Sequence, residues 1–262
     1  MMDEIQIIEL KEMNLKGAYV IDGFPSVGLV GSIAANYLVT ALSLEQVGVV
    51  DSEYFPAVSW IKNKVPYGPV RIYAGEKGKD KIVVFVSEFQ PPANLIRPLA
   101  RAVMDWTEEH RCGMVISPEG LIVQSEPDRE YKETGKIDTE MDLINRVWGI
   151  GSTERANEVL KNNGIPFFEN GVVVGLASVL LNEGVYRDFD VLLLLSEASA
   201  DYPDARAAAA VTSAIDKILL HTEIDVKPLL DEAVVIEEKL KEMYRKAGKK
   251  EELTKMRSIM YG

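Results

Sequence analysis

Short apolar runs alternate along this chain with segments whose apolar residues recur every three or four positions. Lys81–Ser87 encloses a continuous apolar run, which is typical of a strand covered on both faces. The following segment, Pro91–His110, places Leu95, Leu99 and Val103 on one face, as a helix does. Repeated units of this kind predict an α/β fold with a mostly parallel sheet flanked by helices on both faces.

The remaining elements follow from the same two patterns. Strands are predicted at Ile5–Leu10, Tyr19–Ile21, Val47–Val50, Val58–Lys62, Val70–Tyr73, Cys112–Ile116 and Asp190–Leu195, and helices at Ser152–Asn162, Gly175–Leu181 and Pro203–His221. Prolines within Val47–Tyr73 favour a meander with an exposed edge. Asn170 and Gly171 predict a hairpin-like turn, and the polar segment Gln124–Thr139 predicts a surface excursion.

The stretch Ile21–Leu42 joins the end of a buried strand to a glycine-punctuated turn and a helix that is expected to begin near Ser26. The Ser26 hydroxyl can cap the first turn of this helix. Free amides and the helix dipole favour an anion at such a turn, so Gly23, Ser26, Gly28 and Gly31 form a possible ligand site. Their spacing is not G-x-G-x-x-G, which favours instead a tight turn and close helix packing.

Acidic and hydroxyl side chains follow several predicted strands, at the rim where parallel sheets bind ligands. They are Asp22, Glu88, Ser117, Glu119, Ser178, Glu197 and Ser199. Two carboxylates that converge there in different environments could act as acid and base, although such residues also cap helices. His110 and His221 end predicted helices, and no HExxH, G-x-S-x-G or metal-spaced cluster occurs. We therefore expect no catalytic residue, metal or cofactor.

Composition narrows the possible partners. Of the 262 residues, 47% are hydrophobic, which allows one sizeable core, and the net charge of −12 argues against nucleic acid and anionic membranes. The longest apolar runs are too short to span a bilayer, and the acidic amino terminus does not resemble a signal peptide. A single cysteine, Cys112, fits a reducing compartment. The expectation is a cytoplasmic protein.

A composition shift predicts an α/β core domain over residues 1–226 and a C-terminal helical extension and tail over residues 227–262. The extension carries a narrow apolar stripe formed by Leu229, Ala233, Ile236, Leu240 and Met243. This stripe either packs on the core or pairs with another copy. Met260, Tyr261 and Gly262 end the sequence with a hydrophobic residue and a penultimate tyrosine, which can form a compact docking unit.

Three separated motifs resemble the proteasome assembly chaperone family, and its archaeal members in particular. They are GFPSVGLVGSIAANYLV, GLASVLLNEG and ADYPDARAAAAVTSAIDKILLHTEIDVKPLLDEA, and the resemblance extends from Ile5 to about Ala233. It implies a fold related to purine nucleoside phosphorylases without their catalytic residues. It also implies self-association into a ring of about four to six subunits and docking on the α subunits of the 20S proteasome. The family's hydrophobic-tyrosine-any motif maps onto Met260, Tyr261 and Gly262.

These observations lead to one main interpretation and two alternatives. The main one is a non-enzymatic proteasome assembly chaperone or ATP-independent activator that docks through Met260–Gly262. The first alternative is an oligomeric scaffold whose tail packs on its own core and whose partner is a homologous chaperone. The second is a nucleoside- or phosphate-binding enzyme that uses the glycine turn and the rim carboxylates.

Overall fold

A mixed eight-stranded sheet is the central layer of the computed structural model, which describes residues 5–122, 146–221, 223–236 and 239. Its strands are β1 (Gln6–Glu9), β2 (Tyr19–Gly23), β3 (Glu45–Asp51), β6 (Val70–Lys77), β7 (Asp80–Ser87), β8 (Met114–Leu121), β9 (Val147–Gly151) and β10 (Val191–Glu197). Two short strands, β4 (Trp60–Lys62) and β5 (Val65–Tyr67), form a separate hairpin. The order across the large sheet is β1-β3-β6-β7-β2-β8-β10-β9.

Among the strands of the large sheet, parallel pairing occurs between the four central ones, β7, β2, β8 and β10. In register, Ile21 of β2 lies between Val84 of β7 and Ile116 of β8. The edges are antiparallel, with β6, β3 and β1 on one side and β9 on the other. The predicted α/β class is therefore confirmed, and its parallel strands are those with continuous apolar runs.

Helices cover both faces of this sheet. They are α1 (Val30–Ala41), α2 (Ala93–Glu109), α3 (Glu154–Asn162), α4 (Gly175–Arg187), α5 (Ala205–Ile215) and α6 (227–236), with a 3-10 turn at Val27–Leu29 and a π-helical turn at Asp216–Leu220. One buried cluster joins α1 and α5 to the sheet face that carries Ile21 and Val84. A second cluster joins α2 and α4 to the face that carries Val20 and Val83. This alternation explains why the central strands are apolar at every position.

Several local predictions need correction. The hairpin-like turn at Asn170 and Gly171 is wrong, because residues 168–174 contain no strand and Phe168 fills the space beside Gly171. Helix α3 begins after Thr153, whose Oγ1 accepts a hydrogen bond from the Ala156 amide at 3.1 Å. Strand β8 continues beyond its predicted end because β10 pairs with it as far as Leu121. The predicted excursion at 124–139 lies outside the described residues.

The beginning of the C-terminal extension packs on the core. Leu229 and Ala233 of α6 are buried, and Leu229 belongs to the cluster formed by α1 and α5. The segment before α6 is tied to α1 because the Tyr37 hydroxyl donates a hydrogen bond to the Asp225 carbonyl. Part of the apolar stripe thus faces this chain's own core, whereas Leu240 and Met243 lie outside the described residues. The division at residue 226 stays a prediction.

Helix α1 lies unusually close to the strand ends. A Cβ atom on Gly31 would be 2.8 Å from the carbonyl oxygens of both Phe24 and Pro118. A Cβ atom on Gly120 would overlap the Val27 carbonyl. Backbone atoms occupy both places, so a side chain could be accommodated only if the turn or the strand moved.

We therefore predict that Gly120→Ala destabilises the protein by about 1–3 kcal/mol, because the added methyl group forces the turn away from β8. Gly68→Ala is the matched control, since a Cβ atom on Gly68 has nothing within 4 Å. Its free energy of unfolding should stay within about 0.5 kcal/mol of the intact chain. Urea unfolding of the three proteins measures both effects, and equal midpoints for the two variants would contradict the packing argument.

Candidate functional site

Three of the rim side chains predicted from the sequence meet at the carboxyl ends of β2 and β8. The Ser117 hydroxyl donates a hydrogen bond to Asp22 Oδ2 at 2.8 Å and lies 3.5 Å from Glu119 Oε1. Asp22 and Ser117 are buried, and Glu119 is partly buried. They converge because β2 and β8 are parallel neighbours, so their carboxyl ends lie side by side.

Asp22 also organises the backbone of the glycine turn. Its Oδ1 accepts a hydrogen bond from the Phe24 amide at 3.1 Å, while its Oδ2 accepts from Ser117. These two hydrogen bonds offset part of the cost of burying the carboxylate. Asp22 therefore connects the start of the turn to the neighbouring strand.

Burial shifts the proton affinity of both carboxyl groups. It raises the pKa of Asp22 to about 6, although the hydrogen bonds from Ser117 and Phe24 oppose the shift. Burial raises the pKa of Glu119 well above its ordinary value, and the nearby charge on Asp22 raises it further. Two carboxyl groups that share one hydroxyl cannot both ionise without mutual repulsion. The pair therefore retains a proton at a pH at which exposed carboxyl groups are already ionised.

The glycine turn begins α1 later than the sequence suggests. Gly28 and Leu29 both have left-handed backbone angles, with φ of 61° and 54°, so the regular helix starts at Val30 instead of Ser26. The Ser26 hydroxyl nevertheless accepts a hydrogen bond from the Gly31 amide at 3.1 Å. Ser26 thus satisfies one amide in the first turn of α1 from a position outside the helix.

Asp204, which the sequence analysis did not single out, holds the other side of the turn. Its amide donates to the Gly28 carbonyl at 2.7 Å. Its carboxylate accepts from the amides of Ala207 at 2.9 Å and Ser199 at 3.2 Å. An aspartate directly before an alanine-rich helix is a common N-cap, and this signal could have found it. The ligand role of Gly23, Ser26, Gly28 and Gly31 stays a prediction.

The other side chains predicted for the rim have different surroundings. Glu88 forms an ion pair with Arg71 of β6, whose guanidinium lies 5.6 Å from the centre of the Tyr67 ring. The Ser178 hydroxyl donates within α4 to the Gly175 carbonyl at 2.8 Å. Glu197 is exposed at the end of β10. The rim therefore contains one convergent group of carboxyls and several separate contacts.

His110 and Cys112 have structural surroundings. The His110 ring stacks on Trp106 with centroids 4.2 Å apart, and its Nε2 lies 2.9 Å from Glu9 Oε1, which links β1 to α2. Cys112 is buried, and burial raises its pKa to about 11. Within the described ranges, no group of three or more His, Cys, Asp or Glu residues could hold a metal ion. No described helix has the length and apolar character needed to cross a membrane.

The raised pKa values predict a pH dependence of stability. A carboxyl group whose folded pKa exceeds its unfolded value stabilises the fold fully below the unfolded pKa, and this contribution is lost as the pH rises through the folded pKa. Asp22→Asn should therefore be more stable than the intact chain at pH 7, by about 1–3 kcal/mol, and the difference should shrink towards pH 4. An asparagine can still accept from Phe24 and contact Ser117.

Urea unfolding between pH 4 and pH 8 measures this effect. Glu12→Gln serves as the control because Glu12 is exposed, and its curve should follow that of the intact chain. If Asp22→Asn also follows the intact chain at every pH, the buried carboxyl pair does not change the number of protons bound on folding.

Comparisons with known proteins agree with the resemblance seen in the motifs. Pyrococcus furiosus PbaA, described as an archaeal homolog of proteasome-assembly chaperone, is 29% identical and has a TM-score of 0.77, with 99% of this chain and 100% of that chain covered. Pyrococcus furiosus PbaB, described as an archaeal proteasome activator, is 25% identical with a TM-score of 0.75, and 93% of this chain and 100% of that chain are covered.

An uncharacterized protein of Methanocaldococcus jannaschii is 29% identical over 243 residues, which cover 93% of this chain and 92% of that protein. Residues 20–244 match the PAC2 family. The match runs from β2 and the glycine turn to α6, so it includes every strand of the large sheet except β1 and reaches both helical layers. On this match, the chain belongs to the PAC2 family.

Proposed function

We propose that this protein acts on the proteasome as an assembly chaperone or ATP-independent activator and catalyses no reaction. The observation that carries the proposal is the similarity to PbaA and PbaB along nearly the whole chain. The glycines of the turn also have a packing role that requires no bound substrate, because they lie against this chain's own backbone and side chains. The sequence also lacks the lysine and serine or threonine of a nucleotide-triphosphate loop after this turn.

The proposed docking group is Met260, Tyr261 and Gly262, which lie outside the described residues. A tyrosine combines a large apolar ring with a hydroxyl that can form a hydrogen bond, so it suits a narrow slot with a polar floor. Such a short segment binds weakly by itself. When several copies in a ring meet several pockets, the later contacts become intramolecular and the overall binding strengthens. The proposed partners are the α subunits of the 20S proteasome, in the cytoplasm.

A second candidate role is a scaffold whose extension stays on its own core and whose partner is a homologous chaperone. The observation in its favour is the burial of Leu229 and Ala233 at the start of the extension. Limited proteolysis separates the two roles, because a tail held against the core should resist cleavage, whereas a tail available for docking should be cut first.

We predict that the intact protein stimulates peptide hydrolysis by purified 20S proteasome and that Tyr261→Ala loses this stimulation. Removal of a buried aromatic anchor usually weakens binding tenfold or more. Ser258→Ala is the matched control, since it changes the same segment without removing a ring, and its stimulation should equal that of the intact chain. Equal stimulation by Tyr261→Ala and the intact chain would show that the tail is not the docking group.

A further inference from the structure

A hairpin with an exposed tip lies between β3 and β6, and Phe55 anchors its base on Phe89. We call residues 52–68, which contain β4 and β5, the hairpin arm. Each residue from 56 to 66 is exposed, including Trp60 at 53% and Ile61 at 69%. An isolated two-stranded hairpin is only marginally stable in water, so large apolar side chains at this position are typical of a surface that a partner covers.

The tip of the hairpin arm is basic and locally strained. Lys62 pairs with Val65, so Asn63 and Lys64 form a two-residue turn, and their φ values are 52° and 66°. Such a turn prefers glycine at its second position, yet a lysine stands there. No acidic residue occurs between Tyr54 and Gly75, although the chain as a whole has a net charge of −12. The turn therefore presents Lys62 and Lys64 at an exposed tip that has no acidic neighbour in sequence.

A complementary surface lies beside α3. We call it the acidic cleft; it has a volume of about 400 Å³ and is lined by Glu154, Glu158 and Asp188, with Val185 as an apolar wall. Its arginine, Arg155, is already paired, with its Nη2 atom 3.2 Å from Asp190 Oδ1 and 3.5 Å from Asp188 Oδ1. Glu154 and Glu158 are exposed one helical turn apart and make no ion pair among the residues that the structure describes. The cleft therefore keeps a negative charge.

The two surfaces lie too far apart to meet within one chain. The hairpin arm leaves the sheet where Val70 pairs with Ser87, at the carboxyl end of β7. The acidic cleft lies beyond the centre of the sheet, where Gly151 of β9 pairs with Leu192 near the start of β10. The hairpin arm therefore lies at the rim formed by the carboxyl ends of the parallel strands, and the acidic cleft lies at the rim formed by their amino ends. The two surfaces are also in opposite halves of the sheet. A contact between them must join two copies head to tail, which closes into a ring when the rotation between copies allows it.

We propose that the hairpin arm of one copy docks in the acidic cleft of the next copy. Lys62 and Lys64 face Glu154 and Glu158, and Ile61 packs near Val185, which is 55% exposed in the single chain. Charge complementarity fixes the orientation, and apolar contact supplies the buried surface. The inference rests on the self-associated ring of the proposed function and assigns the two faces that build it.

Charge exchange tests this contact on the full chain without proteasome. Lys62→Glu with Lys64→Glu reverses the hairpin arm, and Glu154→Lys with Glu158→Lys reverses the acidic cleft. Each double variant alone should shift to a monomer in sedimentation velocity at micromolar concentration, because like charges then face each other. A chain that carries all four substitutions should assemble again, because each reversed arm then meets a reversed cleft.

A matched control reverses the charge of two lysines at a different turn, outside the hairpin arm. Lys77→Glu with Lys79→Glu alters two exposed lysines with the same spacing, at the end of β6 and in the turn that follows it, and this variant should sediment as the intact chain does. All of these side chains are exposed, so thermal unfolding should confirm that each variant remains folded.

Three results would overturn the proposal. They are a monomeric intact chain, a reversed hairpin arm that sediments like the intact chain, and a four-substitution chain that stays dissociated. If the reversed arm keeps the assembly but no longer stimulates the proteasome, the arm contacts the proteasome instead of another copy. Because sedimentation is measured without proteasome, a failure of tail docking at Tyr261 leaves this result unchanged, so the two proposals fail separately.

Discussion

The backbone of the glycine turn must pass in contact with two strand ends before α1 can cover the sheet. Gly31 meets the carbonyls of Phe24 and Pro118, and Gly120 meets the carbonyl of Val27, so only residues without a Cβ atom fit. This approach places α1 beside α5 over one face of the central strands. It also places the start of the turn beside Asp22, whose carboxylate accepts hydrogen bonds from the Phe24 amide and the Ser117 hydroxyl.

Patterns that depend on burial were predictable from the sequence, whereas features that depend on tertiary contacts were not. The continuous apolar run at Lys81–Ser87 identified a central strand because both of its faces are covered. The start of α1 was misplaced because left-handed Gly28 lies against Ser199 and Asp204, which are distant in sequence. The Asn170–Gly171 pair favours a hairpin locally, but no flanking strands pair there.

The candidate site shows the same limit. Sequence reasoning placed Asp22, Ser117 and Glu119 on one rim, but only the register between β2 and β8 brings them together. The exposed meander edge was expected from its prolines, whereas the separation of β4 and β5 from the large sheet required the structure. Since the rim groups mainly serve the turn, we expect the exposed parts of the chain to carry the recognition of partners.

We propose above that this protein acts by binding the proteasome. Electron cryomicroscopy of 20S particles mixed with the intact chain tests it most directly, because it shows both the position of the bound protein and the group that makes contact. We expect a capping assembly on the α-ring, with the segment around Tyr261 seated between α subunits. Uncapped particles at saturating protein, or a cap that contacts the α-ring only through other surfaces, would contradict it.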